Sequence, residues 1–325
     1  MTAAPADYRP PWWLRGRHLQ SLWGPLWRRP RRPAFRRERW DTPDGDFLDL
    51  DWLAAPSASS SPCAVILHGL EGSSSSHYAL GLMGLAESTG WRGVVVHFRS
   101  CSGEPNRLGR LYHSGETTDL DWVLRRLVAA APGARIGLVG VSLGGNVILK
   151  WLGEQGEAVP DEIAAAVAIS VPFDLAACAA MLDRGLNRLL YTAHFLRTMK
   201  AKIRGKATLY QERVNVTSAM RAGTFRLYDR LVTAPIFGFA DEEDYWRRSS
   251  SGPFLAKIRR PTLLISAVND PFVPPDSLPY AEVERSPWLE GAFPPQGGHA
   301  GFLEGLGAGP SWAERRAAAF LARHL

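Results

Sequence analysis

Ser142 sits in GVSLGG (140–145), a G-x-S-x-G pattern in which a serine hydroxyl could serve as a nucleophile. The residues before it, RIGLVGV (135–141), read as an apolar strand, and those after it, LGGNVILKWLGEQG, as the start of a helix. A sharp strand-to-helix turn needs small residues at Gly140 and Gly144 and thrusts the serine out at the top of a sheet. It also turns the Leu143 amide, at the start of the helix, toward a developing oxyanion. An ordinary glycine-rich turn has the same spacing, so the partners of the hydroxyl must decide between the two.

A hydroxyl needs a base, and the chain has eight histidines. His299, in QGGHAGF, follows an expected strand and precedes the last helix, where a base could face the same rim as Ser142. Asp270 lies between them in sequence, at the end of PTLLISAVND (261–270); its Asp-Pro step is also a turn signal. The order Ser, Asp, His suits a nucleophile, an orienting acid and a general base performing acyl transfer. LHGLEGSSSSH (67–77) follows another apolar strand, and the Leu70 N–H is the candidate second oxyanion donor. His68 could buttress that loop, line the site, or simply be packed. The serine run lacks the GK[ST] of a phosphate loop, and no H-E-x-x-H or comparable cluster is present, so neither a cofactor nor a metal is expected.

The elements that must hold these residues follow from periodicity. CAVILHG (63–69), GVVVHF (93–98), RIGLVGV and EIAAAVAIS (162–170) are apolar runs expected of strands buried on both faces. HYALGLMGLAEST (77–89) and the amphipathic ETTDLDWVLRRLVAA (116–130) are expected helices between them. That alternation predicts an α/β fold, a mostly parallel central sheet flanked by helices. FLDLDWL (47–53) alternates apolar and acidic residues, predicting a half-exposed antiparallel strand at a sheet edge. Residues 175–258 show helical stretches and no clear strand; the pattern resumes at 261, then WLEGAF (288–293) and a C-terminal helix over 311–325. We therefore expect an N-terminal arm (1–45) packed on the core, a core of 46–171 and 259–325, and an inserted helical lid at 172–258.

The net charge of +6 is uneven. Residues 1–40 carry ten arginines against Asp7 and Glu38, a local +8, so the other 285 residues net −2. The favoured reading is an arm whose tryptophans pack on the core while its arginines face water, with one short helix around 15–23 because prolines 10, 11, 25, 30 and 33 forbid a long one. Weak contact with a membrane surface is the sharper reading; nucleic acid is not expected, since no nucleic-acid motif accompanies the arginines. Three cysteines without a CxxC pair predict no disulfide framework and a reducing cytoplasm, peripheral to a membrane if the arm binds one.

PPWWLRGRHLQSL, LHGLEGSSSSHY, HFRSCSGEPNRLGRLYHSGETTDL (97–120), GVSLGGNVILKWLGE, NDPFVPP (269–275) and GGHAGF (297–302) together resemble the YheT-like branch of the α/β-hydrolases. The resemblance covers nearly the whole chain, weakest at about 203–260. It implies the α/β-hydrolase fold and an esterase or lipase-like hydrolase of small-molecule or lipid-derived esters, with Ser142, Asp270 and His299 as its triad. It also implies that the segment from Arg99 to Ser114 lines the floor of the site, with Tyr112 and His113 as candidates for contacting substrate. Ser100 stands where glycine would be expected and implies either strained backbone or a slightly altered loop. Two alternatives remain at this level: an acyltransferase using the same acyl-enzyme, and a non-catalytic lipid or membrane-surface binding protein. Haloalkane dehalogenase chemistry is disfavoured because the nucleophile position holds Ser rather than Asp.

Overall fold

The computed structural model describes residues 8–54, 58–305 and 309–325. Eight strands form one sheet: β1 (Phe35–Asp41), β2 (Phe47–Leu53), β3 (Cys63–Leu67), β4 (Arg92–Val96), β5 (Ile136–Val141), β6 (Ile163–Ile169), β7 (Thr262–Ile265) and β8 (Leu289–Ala292), in the order β1-β2-β4-β3-β5-β6-β7-β8. β1 pairs antiparallel with β2, and β2 antiparallel with β4; all other pairs are parallel.

The parallel strands are apolar on both faces because both are covered. Val65, Leu67 and Leu138 face α3 (Thr118–Ala130) and α4 (Leu143–Gln155); Ile66, Val139 and Val141 face α2 (His77–Ser88) and the C-terminal helix. A third cluster, built around Leu196, Tyr228 and Trp246, belongs to the insertion after β6. Between β6 and β7 the described residues contain helices and no strand, including α5 (Leu175–Leu182), α6 (Ala193–Gly205) and α7 (Glu242–Ser249). Five-residue π-helical turns at Arg188–Thr192 and Asp229–Thr233 interrupt it. This inserted helical region forms a lid over the C-terminal ends of the parallel strands.

Two expectations are corrected by tertiary pairing. FLDLDWL is neither half-exposed nor at an edge: β2 is buried along its length, and FRRERWD, counted with the arm, forms the edge strand β1 outside it. The acidic positions of β2 are buried because β1 neutralises them. Arg37 forms a two-pronged ion pair with Asp51, and Arg39 one with Asp49. Burial alone would raise the pKa of Asp51, but bonds from Arg37, His97 and Ser74 outweigh it and hold the carboxyl far below the usual range. The charged face of β1 also discourages pairing with another chain.

The arm is also less water-facing than expected. Its helix α1 (Arg17–Trp27) runs through Pro25, losing one backbone bond near its end. Gly24 lies so close to the His77 ring that an added Cβ would come within 2.5 Å of it. Arg28, just past α1, is buried and pairs with both carboxylate oxygens of Glu314 in α8 (Trp312–Leu321). Among the described residues no helix is long and apolar enough to cross a membrane.

Candidate active site

Ser142 caps α4 with φ 54° and ψ −120°, a strained conformation for a residue with a side chain. The surrounding glycines explain how the turn fits. A Cβ on Gly140 would lie 2.5 Å from Gly144 O, and one on Gly144 2.4 Å from Leu67 O, both backbone atoms that cannot move aside. The strain aims the hydroxyl out of the sheet, where it meets a base. His299 Nε2 lies 2.9 Å from Ser142 Oγ, and His299 Nδ1 lies 2.8 Å from Asp270 Oδ2. With Nδ1–H donating to the carboxylate, Nε2 is left free to accept the serine proton.

Asp270 stands five residues beyond the end of β7 rather than at the strand tip, in a turn closed by its N–H to Ala267 O. Its side chain is fully buried, and its other oxygen accepts the Phe272 N–H at 2.7 Å. Phe272 then stacks on His299, ring centres 3.9 Å apart, fixing the plane of the imidazole. Ser170, just past β6, accepts the Ala300 N–H at 2.9 Å and braces the histidine loop from below.

Leu70 and Leu143 flank the nucleophile, and neither amide has an acceptor among the described residues. The Leu70 loop is fastened on three sides. Gly69 N–H donates to Tyr78 Oη, Glu71 N–H donates to Tyr112 Oη, and Lys202 of α6 pairs with Glu71. His68 does not line the cavity. It is fully buried, accepting the Phe98 N–H at Nε2 and donating from Nδ1 to Gly69 O, and burial pushes its pKa down to about 3. A neutral imidazole used at both nitrogens is a brace for the loop.

Tyr112 and His113 do line the cavity, with Leu111 and Ser114. Tyr112 is committed to Glu71 through both functions of its hydroxyl. His113 accepts the Gly115 N–H and sits against Phe237, Phe239 and Tyr245; burial lowers its pKa to about 4, leaving it neutral. Arg99 lies away from the cavity, buried among Asp119, Asp46 and Asp44, where it ties the loops beside the sheet. Ser100 adopts the strained left-handed conformation, φ 61°, and Asn106 holds it there. Cys101 lies 3.2 Å from Lys202 Nζ, and burial raises its pKa to about 11.

Two cavities meet at Ser142 and His299. A small one of about 120 Å³ runs under the lid between Leu175, Ala179, Leu182, Met199, Val232 and Trp246. A larger cleft of about 800 Å³ runs the other way, between α1, the loop 69–78, and Leu190, Tyr191 and His194 of the lid. Sequence reasoning missed the lid's contribution of Asp229 and Lys202 to the small cavity, because polar residues in a helical insertion carry no signal of which wall they form. Among the described residues no group of three or more His, Cys, Asp or Glu is arranged to hold a metal ion.

Residues 65–306 match the family model of the alpha/beta hydrolase fold. The chain is 41% identical over 312 residues to the putative esterase YheT of Escherichia coli, spanning 95% of this chain and 91% of that protein. It is 30% identical to mouse phospholipase ABHD3 over 92% of this chain and 74% of the relative. Among solved structures, the Pyrococcus furiosus esterase Pf2001 superposes with a TM-score of 0.58 at 19% identity, over 91% of this chain and 98% of that one, a likeness of fold. The chain thus belongs to the α/β-hydrolase family, in its YheT-like branch, and is a serine hydrolase of the esterase and lipase type.

Proposed function

We propose that the protein cleaves carboxylic esters of apolar acyl chains through an acyl-enzyme on Ser142, with His299 as general base and Asp270 as its orienting acid. The observation that carries this reading is the Ser142–His299–Asp270 hydrogen-bond chain at the junction of two cavities. Ser142 Oγ attacks the ester carbonyl as its proton passes to His299 Nε2, and Asp270 stabilises the imidazolium. The Leu70 and Leu143 amides receive the oxyanion, each contributing on the order of 3 kcal/mol to the transition state. His299 returns the proton to the departing alcohol; a water, deprotonated by the same nitrogen, then releases the acid. The acyl chain occupies the small cavity under the lid, and the alcohol occupies the larger cleft.

The test is turnover of p-nitrophenyl esters from acetate to palmitate, with fluorophosphonate labelling, for the wild type and Ser142→Ala. Loss of both in the variant supports the reading, with turnover falling by roughly a millionfold as for other triads. Labelling of Ser142 without ester turnover would point to an acyltransferase instead.

A weak contact with an anionic membrane surface, in a reducing cytoplasm, is part of the same proposal. The free thiols Cys63, Cys101 and Cys178 suit that compartment. Exposed Leu26 and Trp27 of α1 and Leu189 and Leu190 of the lid stand at or beside the walls of the larger cleft, with exposed Arg29 in its lining and exposed Arg15 and Arg17 in and just before α1. Apolar groups fringed by arginine suit a lipid headgroup layer. Sedimentation with anionic vesicles that is unchanged in Trp27→Ser/Leu189→Ser would rule this contact out.

A further inference from the structure

Gln20 of α1 is completely buried, yet every hydrogen-bonding position of its side chain is occupied. Its Nε2 donates to Leu14 O at 3.0 Å and to Gln296 Oε1 at 3.1 Å. Its Oε1 accepts from Asn269 Nδ2 at 2.9 Å and from the Gly297 N–H at 3.0 Å. Asn269 immediately precedes Asp270, and Gln296 and Gly297 precede His299, so one side chain spans the two loops that deliver the acid and the base. Asn269 Oδ1 completes the bridge by accepting the Gly298 N–H at 3.0 Å.

The next residue of the helix acts on the histidine itself. Ser21 Oγ accepts the His299 N–H at 2.8 Å while donating to Arg17 O at 2.6 Å. The loop is pressed so closely on α1 that a Cβ at Gly301 would lie 2.3 Å from Gln20 O, and one at Gly298 2.7 Å from Ser21 Oγ. At their bases the two loops are joined by the Val268 N–H to Pro294 O bond; at their tips the described bonds between them are those through Gln20 and Asn269 and that of Asp270 to His299. α1 is itself immobilised on the core by the buried Arg28–Glu314 pair.

We propose that Gln20 and Ser21 are positioning residues for the His299–Asp270 pair, so that the N-terminal helix completes the catalytic site. The proposal rests on the assignment of Ser142, His299 and Asp270 as the triad. Proton transfer needs the base held within a narrow range of distance and angle, and a misplacement of about 1 Å lowers turnover by up to about 100-fold. Neither residue touches the reacting atoms; Gln20 acts through the Asn269 and Gln296 side chains and the Gly297 amide, and Ser21 through the His299 backbone N–H.

The experiment compares full-length wild type, Gln20→Met, Ser21→Ala, Ser21→Thr and Ser142→Ala, with active sites counted by fluorophosphonate titration and folding checked by near-UV circular dichroism. Gln20→Met keeps the bulk and removes the bridge. Its kcat per titrated site is expected to fall about 10- to 100-fold with KM within about threefold. Ser21→Ala should behave likewise to a lesser degree, and Ser21→Thr, which keeps a hydroxyl able to bond the carbonyl four residues back, should recover activity. Wild-type kcat in Gln20→Met and Ser21→Ala would overturn the proposal. So would a loss that disappears when activity is expressed per titrated site. An active Ser142→Ala would overturn the triad itself and this proposal with it; an inactive Ser142→Ala beside a fully active Gln20→Met would sink the positioning role alone.

Discussion

The two cavities that share Ser142 are built from different materials. The small one is walled largely by the lid and is mostly apolar, with His113, Ser114, Asp229, Thr233 and the Glu71–Lys202 pair among its polar residues. The larger one is walled by the N-terminal helix, the serine-rich loop and a single turn of the lid, and mixes leucine and proline with serine, histidine and arginine. An apolar chain gains about 0.8 kcal/mol per methylene on leaving water, so a small pocket of fixed depth discriminates by chain length. A group in a wide cleft keeps much of its hydration and gains less from any one wall. The lid should therefore set selectivity for the acid, and the arm should matter more for holding the site together than for choosing the alcohol.

The largest expected effect attacks the arm. Arg28→Met would leave the buried Glu314 carboxylate without its cation, at a cost of about 3–5 kcal/mol, and a denaturant melt would show a much less stable protein. Wild-type stability would mean that the arm is an appendage. The next effect attacks the lid. Ala179→Phe, in the wall of the small cavity, should lower kcat/KM for long-chain esters by roughly 100-fold and leave acetate within about threefold. An equal loss for all chain lengths would move the acyl chain out of that cavity.

A third test uses pH. Burial raises the Asp229 pKa from 3.8 to about 7, although Thr233 and Trp246 donate to the carboxylate. The folded lid thus keeps a proton that the unfolded chain loses at lower pH. Its contribution to stability is full below about pH 4 and declines as pH rises toward 7. Asp229→Asn should flatten that decline in stability measured across the same range; an unchanged slope would place its cause elsewhere. The smallest effect belongs to the larger cleft. Leu190→Ala should change kcat/KM by no more than about threefold across alcohols of different size, and a large alcohol-dependent change would make the cleft as selective as the pocket.

Local chemistry made much of this legible before any fold was known. The elbow is a short-range steric problem, and Gly140, Ser142 and Gly144 solve it within five residues. Strands buried on both faces announce themselves as apolar runs, so β3 to β6 were found nearly to the residue. The failures share one cause. Asp49 and Asp51 looked like a solvated face because alternation reports polarity and says nothing of a partner; β1 supplies the arginines that bury them. His68 looked like a residue of the site because it adjoins Leu70, but its ring turns into the backbone at Gly69 and Phe98.

By itself, then, the amino-acid order determined the strand-to-helix turn at Ser142, the succession of Ser142, Asp270 and His299, and the alternation that lays strands side by side, since each depends on neighbours a few residues apart or on simple periodicity. Only the tertiary structure decided that Gln20 would bridge two loops roughly 250 and 277 positions away, that Arg28 would meet Glu314, and which residues would wall each side of Ser142. A buried polar side chain is stable only against a complementary partner, and nothing within its own stretch of chain names that partner.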